Sequence, residues 1–280
     1  MSGTLYLVAT PIGNLEDVTF RAVRILGEVQ LIAAEDTRRT AKLLRHYDIT
    51  TKSTSLHEHN ERQKAPRLVS RLLAGDSIAL LSDAGTPVIS DPGLLLVRQS
   101  LDAGVSVVAL PGPSAVIAAL ISSGAPTNSF TFVGFPPRRS TDRKRWCEAL
   151  ANEPRTLIFF ESPHRLVTTL ALMREYLGDR MVAVCRELSK LHEELVIRPI
   201  SELVEMAVAP RGEYTCVVWP AERADLTTKR LPEGTVLLRE LAQLTNNDAS
   251  RRTAVKEMGR KYGLTTRQMY TAVERAKQIG

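Results

Sequence analysis

The sequence lacks long hydrophobic runs. Its longest nearly apolar stretch, residues 115–121, is far shorter than the roughly 20 residues that a membrane-spanning helix needs. The apolar run at residues 5–9 has no basic residues before it and no small-residue cleavage site after it, which argues against a secretory signal. We therefore expect a cytoplasmic protein with no membrane partner.

Cysteine is also scarce. The three cysteines, Cys147, Cys185 and Cys216, are widely spaced and form no C-x-x-C pair. This pattern favours reduced thiols over a disulfide scaffold or a zinc site. The segment H-E-H-N-E (57–61) is rich in metal-binding side chains, but its spacing is not H-E-x-x-H, and a polar loop or helix start is the favoured interpretation. No metal site is predicted.

The overall composition excludes disordered and fibrous proteins. The 280 residues are 44% hydrophobic and 24% charged, which is typical of a globular chain with room for two packed domains. The net charge of +6 permits a polyanionic partner such as nucleic acid but does not require one.

The first 120 residues repeat one pattern: an apolar strand, a loop rich in glycine and proline, and a helix. It begins with a strand at residues 4–9 and a helix from Asp17, with Phe20, Val23 and Leu26 on one face. The pattern recurs twice, with strands at 77–81 and 105–110 and helices at 94–102 and 115–122. It predicts an N-terminal α/β domain, residues 1–120, with a parallel or mixed sheet.

A second α/β domain is predicted over residues 121–222. Its strands fall at 156–160, 181–185 and 213–219, and its helices at 165–177 and 200–207. Residues 194–198 leave open an antiparallel edge strand.

A polar segment at residues 221–231 is interpreted as a linker to a basic, helical C-terminal domain, residues 232–280. There Gly259, Gly263 and Met269 have the spacing of a helix-turn-helix that could contact nucleic acid. A three-helix cap on the main body is an equally valid interpretation.

The three loops after the first-domain strands, at residues 11–14, 83–87 and 111–114, should meet at one carboxyl edge of the sheet, where α/β proteins bind ligands. None of them is G-x-G-x-x-G or a P-loop, so hydride and phosphoryl transfer are disfavoured. No serine lies in a G-x-S-x-G elbow, the motif that carries the nucleophile of α/β-hydrolases, so a hydrolase triad of this class is disfavoured.

Three segments combine acidic and basic residues. A-E-D-T-R-R-T (34–40) opens a predicted helix, and E-S-P-H-R (161–165) and R-E-L-S-K (186–190) each end a predicted strand. Helix capping and structural ion pairs explain such patterns as well as a place in a substrate cleft does.

Taken together, an ordered series of motifs resembles the bacterial small-subunit ribosomal RNA cytidine 2′-O-methyltransferase family of the tetrapyrrole-methylase (class III) superfamily. The motifs are V-A-T-P-I-G-N-L-E-D-V-T-F-R-A (8–22), A-E-D-T-R-R-T (34–40), H-E-H-N-E (57–61), S-D-A-G-T-P-V-I-S-D-P-G (82–93), P-G-P-S-A (111–115), F-F-E-S-P-H-R (159–165) and R-E-L-S-K-L-H-E-E (186–194).

The resemblance implies a homodimer that holds S-adenosylmethionine in a cleft between two α/β subdomains and methylates a cytidine 2′-hydroxyl in the decoding region of 16S ribosomal RNA, within the small ribosomal subunit. The residues it implies for the cofactor are Pro11, Asp83, Thr86, Ser114, Ala115, Phe160, Pro210 and Gly212.

A ribose hydroxyl is a weak nucleophile, so a base or a nearby cation would help the transfer. The candidate bases are Asp36, Glu161 and Glu187, with Lys190 or Arg186 as an electrostatic aid. The candidate RNA contacts are Arg38, Arg39, Arg138, Arg139, Arg143, Lys144 and Arg145.

Two alternatives stay open. One is methylation of a small tetrapyrrole-like substrate, which has no use for the basic segment 138–145. The other is a non-enzymatic nucleic-acid-binding regulator, which leaves the three edge loops without a role.

Overall fold

The computed structural model describes residues 2–206, 211–220, 234–246, 250–262 and 266–279. The chain divides into two compact units, residues 1–220 and residues 221–280. The first unit contains two sheets, and we call the part built around each sheet one half of this unit. The second unit consists of helices in its described part.

The first sheet contains five parallel strands in the order β3-β2-β4-β1-β5. These are β1 (Thr4–Val8), β2 (Leu31–Ala34), β3 (Ser53–Ser55), β4 (Ile78–Leu81) and β5 (Ser106–Leu110). The helices of this half are α1 (Phe20–Glu28), α2 (Thr37–His46), α3 (Glu61–Leu73) and α4 (Leu94–Asp102). One face of the sheet packs Ile25 and Leu43, and the other packs Leu72 and Leu96, so both faces are buried as parallel sheets require.

The helix predicted from Asp17 begins later and presents a different face. Residues 15–17 form a 3-10 turn, and the Thr19 side chain caps α1 by accepting the Ala22 amide hydrogen. The buried residues are Ala22, Ile25 and Leu26, whereas Phe20 is 97% exposed. The prediction that Phe20 shares the packed face with Leu26 is therefore wrong, because α1 buries Ala22, Ile25 and Leu26 and leaves its first residue exposed.

The second sheet is mixed, with the order β6-β7-β10-β8-β9. Its strands are β6 (Phe130–Phe132), β7 (Thr156–Glu161), β8 (Met181–Arg186), β9 (Glu194–Pro199) and β10 (Tyr214–Val218). β9 pairs antiparallel with β8, as residues 194–198 allowed. The helices here are α6 (Ser140–Leu150), α7 (Pro163–Leu177) and α8 (Ile200–Glu205).

Helix α5 (Ala115–Ser122) packs on the second sheet rather than on the first. Its Val116, Ala119 and Leu120 share a core with Ile158 and Val217. The chain thus crosses from one half of the unit to the other in the loop at residues 111–114. This loop consequently touches both halves.

The C-terminal unit contains α9 (Gly234–Asn246), α10 (Arg251–Tyr262) and α11 (Thr266–Ile279). Leu237, Val255, Met258, Met269 and Val273 form its core. The predicted α/β class with helices at the C-terminus is confirmed. The linker at 221–231 and Gly263 lie outside the described residues, and no described helix is long and apolar enough to cross a membrane.

Candidate functional site

The three loops that follow β1, β4 and β5 meet at the carboxyl edge of the first sheet, as predicted. Thr10 and Gly85 exchange two backbone hydrogen bonds of 2.9 Å. The Thr86 hydroxyl donates to the carbonyl of Pro113 over 3.1 Å. Each loop is thus tied to its neighbour, and the edge forms one preorganised surface.

Glycine at two positions lets these loops approach. Gly85 has φ +79°, and a Cβ there would lie 3.4 Å from Cγ2 of Ile12. A Cβ on Gly112 would lie only 2.8 Å from the Cβ of Ala9. Larger side chains would strain Gly85 and separate the Gly112 loop from the end of β1.

A cleft of about 460 Å³ lies between this edge and the second half of the unit, within the size range of small-molecule sites. Six of the eight residues predicted for the cofactor line it: Asp83, Thr86, Ser114, Ala115, Phe160 and Gly212. Pro11 does not line the cleft, although the neighbouring Ile12 does. Pro210 lies outside the described residues.

An aromatic group forms part of the second-half wall. Phe160 lies 4.9 Å from Phe132 and 5.3 Å from Phe135 between ring centroids. Phe135 and Phe160 both line the cleft. They supply the apolar surface on which a planar ring or a soft cation packs well.

Carboxylates line the opposite wall. Asp83 accepts the Asp36 amide hydrogen at 2.9 Å and pairs with Arg39 at 3.4 Å, while Glu35 accepts the Asp83 amide hydrogen at 3.2 Å. Burial raises the pKa of Glu35. Burial, followed by the negative charges of Glu35 and Asp83, raises the pKa of Asp91 to about 7.

Among the predicted bases, Glu161 lines the cleft, but its side chain has no exposed surface. The carboxylate accepts from the Ser162 amide at 2.8 Å, Arg165 at 3.1 Å and the Thr169 hydroxyl at 2.6 Å. The Glu161 oxygens therefore already accept from Ser162, which follows β7, and from two residues of α7.

Asp36 caps α2 by accepting the Arg38 amide hydrogen, and the Arg38 guanidinium lowers the pKa of its carboxyl. The structure places it beside the cleft-lining residues rather than among them.

Glu187 and Lys190 belong to a loop that packs against the first half of the unit. Lys190 donates to Glu187 and to Glu213, each at 2.9 Å. A Cβ on Gly13 would lie 2.3 Å from Cγ of Lys190, so this loop contacts the first glycine loop. The hydrogen bond from Lys190 lowers the pKa of Glu187.

Most predicted RNA contacts are at the surface. Arg38 and Arg39 lie on α2, and Arg39 also lines the cleft. The remaining exposed bases, at the start of α6 or just before it, are Arg138, Arg139, Lys144 and Arg145. Arg143 differs from them because it is buried, with 8% of its surface exposed.

The described residues contain no cluster of three or more His, Cys, Asp or Glu side chains that could hold a metal ion. In the H-E-H-N-E segment, the side-chain amide of Asn60 lies 2.9 Å from Nε2 of His57, in the turn that begins α3.

Sequence reasoning missed Glu35, Asp91 and Phe135 as cleft residues. Both Glu35 and Asp91 lie inside the motifs quoted above. Glu35 directly follows β2, and Asp91 lies three residues before α4; these positions next to a strand or helix end were the available signal for a place in the cleft. Phe135 gave no such signal, because β6 is a three-residue strand.

The chain matches a known family and named relatives. The model of the Tetrapyrrole (Corrin/Porphyrin) Methylases matches residues 4–204. Ribosomal RNA small subunit methyltransferase I of Halalkalibacterium halodurans is 52% identical over 218 residues, 77% of this chain and 75% of that protein. The protein of the same name from Synechocystis sp. is 43% identical over 274 residues, 96% of each chain.

Solved structures share the fold at low sequence identity. Diphthine synthase has a TM-score of 0.63 and 14% identity, over 78% of this chain and 90% of that one. Uroporphyrin-III C-methyltransferase from Thermus thermophilus, complexed with S-adenosylhomocysteine, has a TM-score of 0.56 and 21% identity, over 79% and 99%. At these identities the likeness concerns the fold alone.

Proposed function

Because this chain belongs to the tetrapyrrole (corrin/porphyrin) methylase family, we propose that it methylates the 2′-hydroxyl of a cytidine ribose in the decoding region of 16S ribosomal RNA. It is a methyltransferase that uses S-adenosylmethionine. The observation that carries the proposal is the cleft between the two halves of the unit, bordered by the three edge loops and by the basic side chain of Arg39.

The cleft residues fit S-adenosylmethionine. This molecule presents an adenine, a ribose, a carboxylate and a sulfonium cation, and it has no phosphate that would need a glycine-rich cradle. Phe160 and Phe135 offer apolar faces, Asp83 can accept from a hydroxyl or amine, and Thr86 and Ser114 lie at the loop ends. When bound, the cofactor supplies an activated methyl group.

The protein's main contribution is alignment. The loops are held to one another by the Thr10–Gly85 and Thr86–Pro113 hydrogen bonds, so little order is lost when they grip a ligand. When a protein holds the attacking oxygen and the methyl group in line, their reaction becomes effectively unimolecular and therefore faster. Walls from both halves also limit the access of water to the reacting atoms.

The RNA is expected to approach along basic side chains at the cleft. Arg39 borders the cleft itself, and Arg38 is its exposed neighbour on α2. Arg138, Arg139, Lys144 and Arg145 add positive charge at α6, in the half of the unit that carries Phe135. Phosphate contacts of this kind position a strand without reading its sequence.

We further propose that the enzyme works as a homodimer in the cytoplasm, on the small ribosomal subunit. Exposed apolar side chains support self-association: Ile117 and Ile121 on α5, Phe20 at the start of α1, and Leu191, which is 93% exposed. Ile121 and Leu188 line a groove that joins these elements. Exposed apolar side chains that lie together at a surface are typical of protein interfaces.

The interface is tested with Ile121→Asp, which should convert the dimer to a monomer in light scattering coupled to gel filtration. Leu73→Asp on α3 replaces another exposed apolar residue and should leave the mass unchanged. A monomeric wild-type protein would refute the dimer.

The activity is tested with labelled S-adenosylmethionine and small subunits from cells that lack the gene, followed by mapping of the label. Ala115→Phe should reduce labelling and cofactor affinity together because it fills the cleft, whereas Ala171→Phe on the exposed face of α7 should change neither. Label on one cytidine ribose supports the proposal. Cofactor binding without RNA labelling would favour a small-molecule acceptor, and no binding would contradict the methyltransferase assignment.

A further inference from the structure

Asp91 occupies a strained loop at the cleft. It lies in the segment between β4 and α4, residues 82–93, and it lines the cleft. Val88 and Ser90 have φ values of 72° and 66°. A β-branched residue in this region is a rare and costly conformation, and such strain tends to occur at functional sites.

A structural explanation for Asp91 is that it caps the helix that follows, but the contacts do not support this. Helix α4 begins at Leu94, and its N-cap is Gly93. The amides of Leu95 and Leu96 are instead taken by Oε1 of Glu61 in α3, at 2.8 and 3.2 Å. Asp91 is therefore not needed to satisfy the helix terminus.

The other carboxylates of the cleft each have a cation or a backbone amide that stabilises their charged form. Glu35 accepts the Asp83 amide hydrogen at 3.2 Å and has the positive charge of Arg39 nearby. Asp83 has the Arg39 cation at 3.4 Å, and Glu161 has Arg165 at 3.1 Å. Glu213 pairs with Lys190 at 2.9 Å. Asp91 has no cation within ion-pair distance among the described residues, and the nearby Ser82 hydroxyl is the group that favours its charged form.

The charges around Asp91 favour its protonated form. Burial has the largest effect, and the negative charge of Glu35 comes next, followed by that of Asp83, so the pKa of Asp91 is raised to about 7. The other ionisable groups that line the cleft are Arg39, Glu161, Glu213 and Tyr214, and Glu61 lies behind the loop at α4. A general base works best when its pKa is near the working pH.

We propose that Asp91 is the general base that accepts the proton of the ribose 2′-hydroxyl during methyl transfer. This inference rests on the proposed function. It selects Asp91 over Asp36, Glu161 and Glu187, because each of those carboxylates is held by a cation, a helix terminus or a saturated set of donors.

The reaction balances without another reactant. The 2′-oxygen forms a bond to the methyl carbon as the bond between that carbon and the sulfonium sulfur breaks, and the electron pair stays on sulfur. The sulfonium becomes a neutral thioether, and the hydroxyl proton passes to a carboxylate oxygen of Asp91. The proton is later released to water.

The test uses Asp91→Asn, which keeps the shape of the side chain but cannot take the proton. It should lower kcat by about 10²- to 10⁴-fold. The wild-type rate should rise with pH through an apparent pKa near 7, and the variant should lose this rise. Asp91→Glu should restore part of the rate, and Asp102→Asn at the exposed end of α4 should behave as wild type.

Two measurements without turnover separate catalysis from structure. Calorimetry should give the same S-adenosylmethionine affinity for wild type and Asp91→Asn within about twofold. Carboxyl ¹³C resonances of the protein without cofactor should show one aspartate titrating near neutral pH, and Asp91→Asn should remove that titration. A variant active within threefold of wild type, or an unchanged pH profile, would overturn the proposal.

The result for wild type separates this inference from the proposed function. If wild type labels a cytidine ribose and Asp91→Asn labels it equally fast, only the base assignment falls. If wild type labels no RNA although it binds the cofactor, the proposed function falls and the inference falls with it.

Discussion

The hydroxyl of Thr169 in α7 donates a 2.6 Å hydrogen bond to Oε2 of Glu161, a carboxylate at the end of β7 with no exposed surface. The two residues join the strand that borders the cleft to the helix behind it. A buried carboxylate is costly unless its oxygens are satisfied, so this bond should contribute to stability.

Thr169→Val should lower the free energy of unfolding by about 1–3 kcal/mol, because it leaves a charged acceptor short of a donor at nearly constant volume. Urea unfolding measures the change. Thr168→Val makes the same replacement at an exposed position of the same helix and should have little effect. Equal losses in both variants would contradict the role of this bond.

Asp91→Asn should stabilise the protein at pH 8. The pKa of Asp91 is raised from 3.8 to about 7, so between these values the folded protein binds more protons than the unfolded chain, and stability falls as the pH rises. Above pH 7 the variant should gain about 1 kcal/mol, allowing for solvent screening at this partly exposed site. At pH 3, where both states are protonated, the gain should vanish; thermal unfolding at the two pH values checks this.

Gly13→Ala should separate the first glycine loop from the loop that carries Lys190. A Cβ at this position would lie 2.9 Å from the carbonyl oxygen of Leu188 as well as 2.3 Å from Cγ of Lys190. We expect a loss of about 1–3 kcal/mol in stability and a weaker affinity for S-adenosylmethionine, because Ile12 lines the cleft.

The control for this variant is Gly27→Ala in α1, where a Cβ meets nothing within 4 Å. Gly27 lies in the last turn of α1, and replacing it with alanine should stabilise the protein by about 0.4–1 kcal/mol because the unfolded chain loses conformational freedom. Urea unfolding and calorimetry apply to both. If both variants changed the free energy of unfolding in the same direction, the close approach of the two loops would not be the reason that position 13 requires glycine.

Replacing the exposed basic residues near α6 with alanine should lower the affinity for RNA and should make that affinity less dependent on salt concentration. The residues are Arg138, Arg139, Lys144 and Arg145. For every RNA phosphate that the variant no longer neutralises, the slope of log affinity against log salt should fall by about 0.7. Anisotropy titrations at several salt concentrations measure it, with Arg24→Ala and Arg71→Ala, exposed bases paired to Glu28 and Asp76, as controls. A slope equal to that of wild type would show that these residues do not contact the RNA phosphates.

Local sequence patterns were sufficient for much of the fold. The apolar runs of β1, β4 and β5 and the glycine loops after them predicted a parallel or mixed sheet with these loops at one edge, because buried strands and tight turns have strong local signatures. Short strands were missed: β3 consists of Ser53–Ser55 and has no apolar residue, so its pairing with β2 depends on a neighbour distant in sequence.

The motifs also determined the family and six of the residues that line the cleft, since strand order alone brings Asp83, Thr86 and Ser114 to one edge. Only the tertiary structure decided which carboxylate is poised to take a proton. The pKa of a side chain depends on burial and on charges that the fold brings close, and Glu35 and Asp91 are 56 positions apart in the chain. Asp36 and Glu187 looked as suitable in sequence, but folding gave each of them a cation and left Asp91 facing other carboxylates.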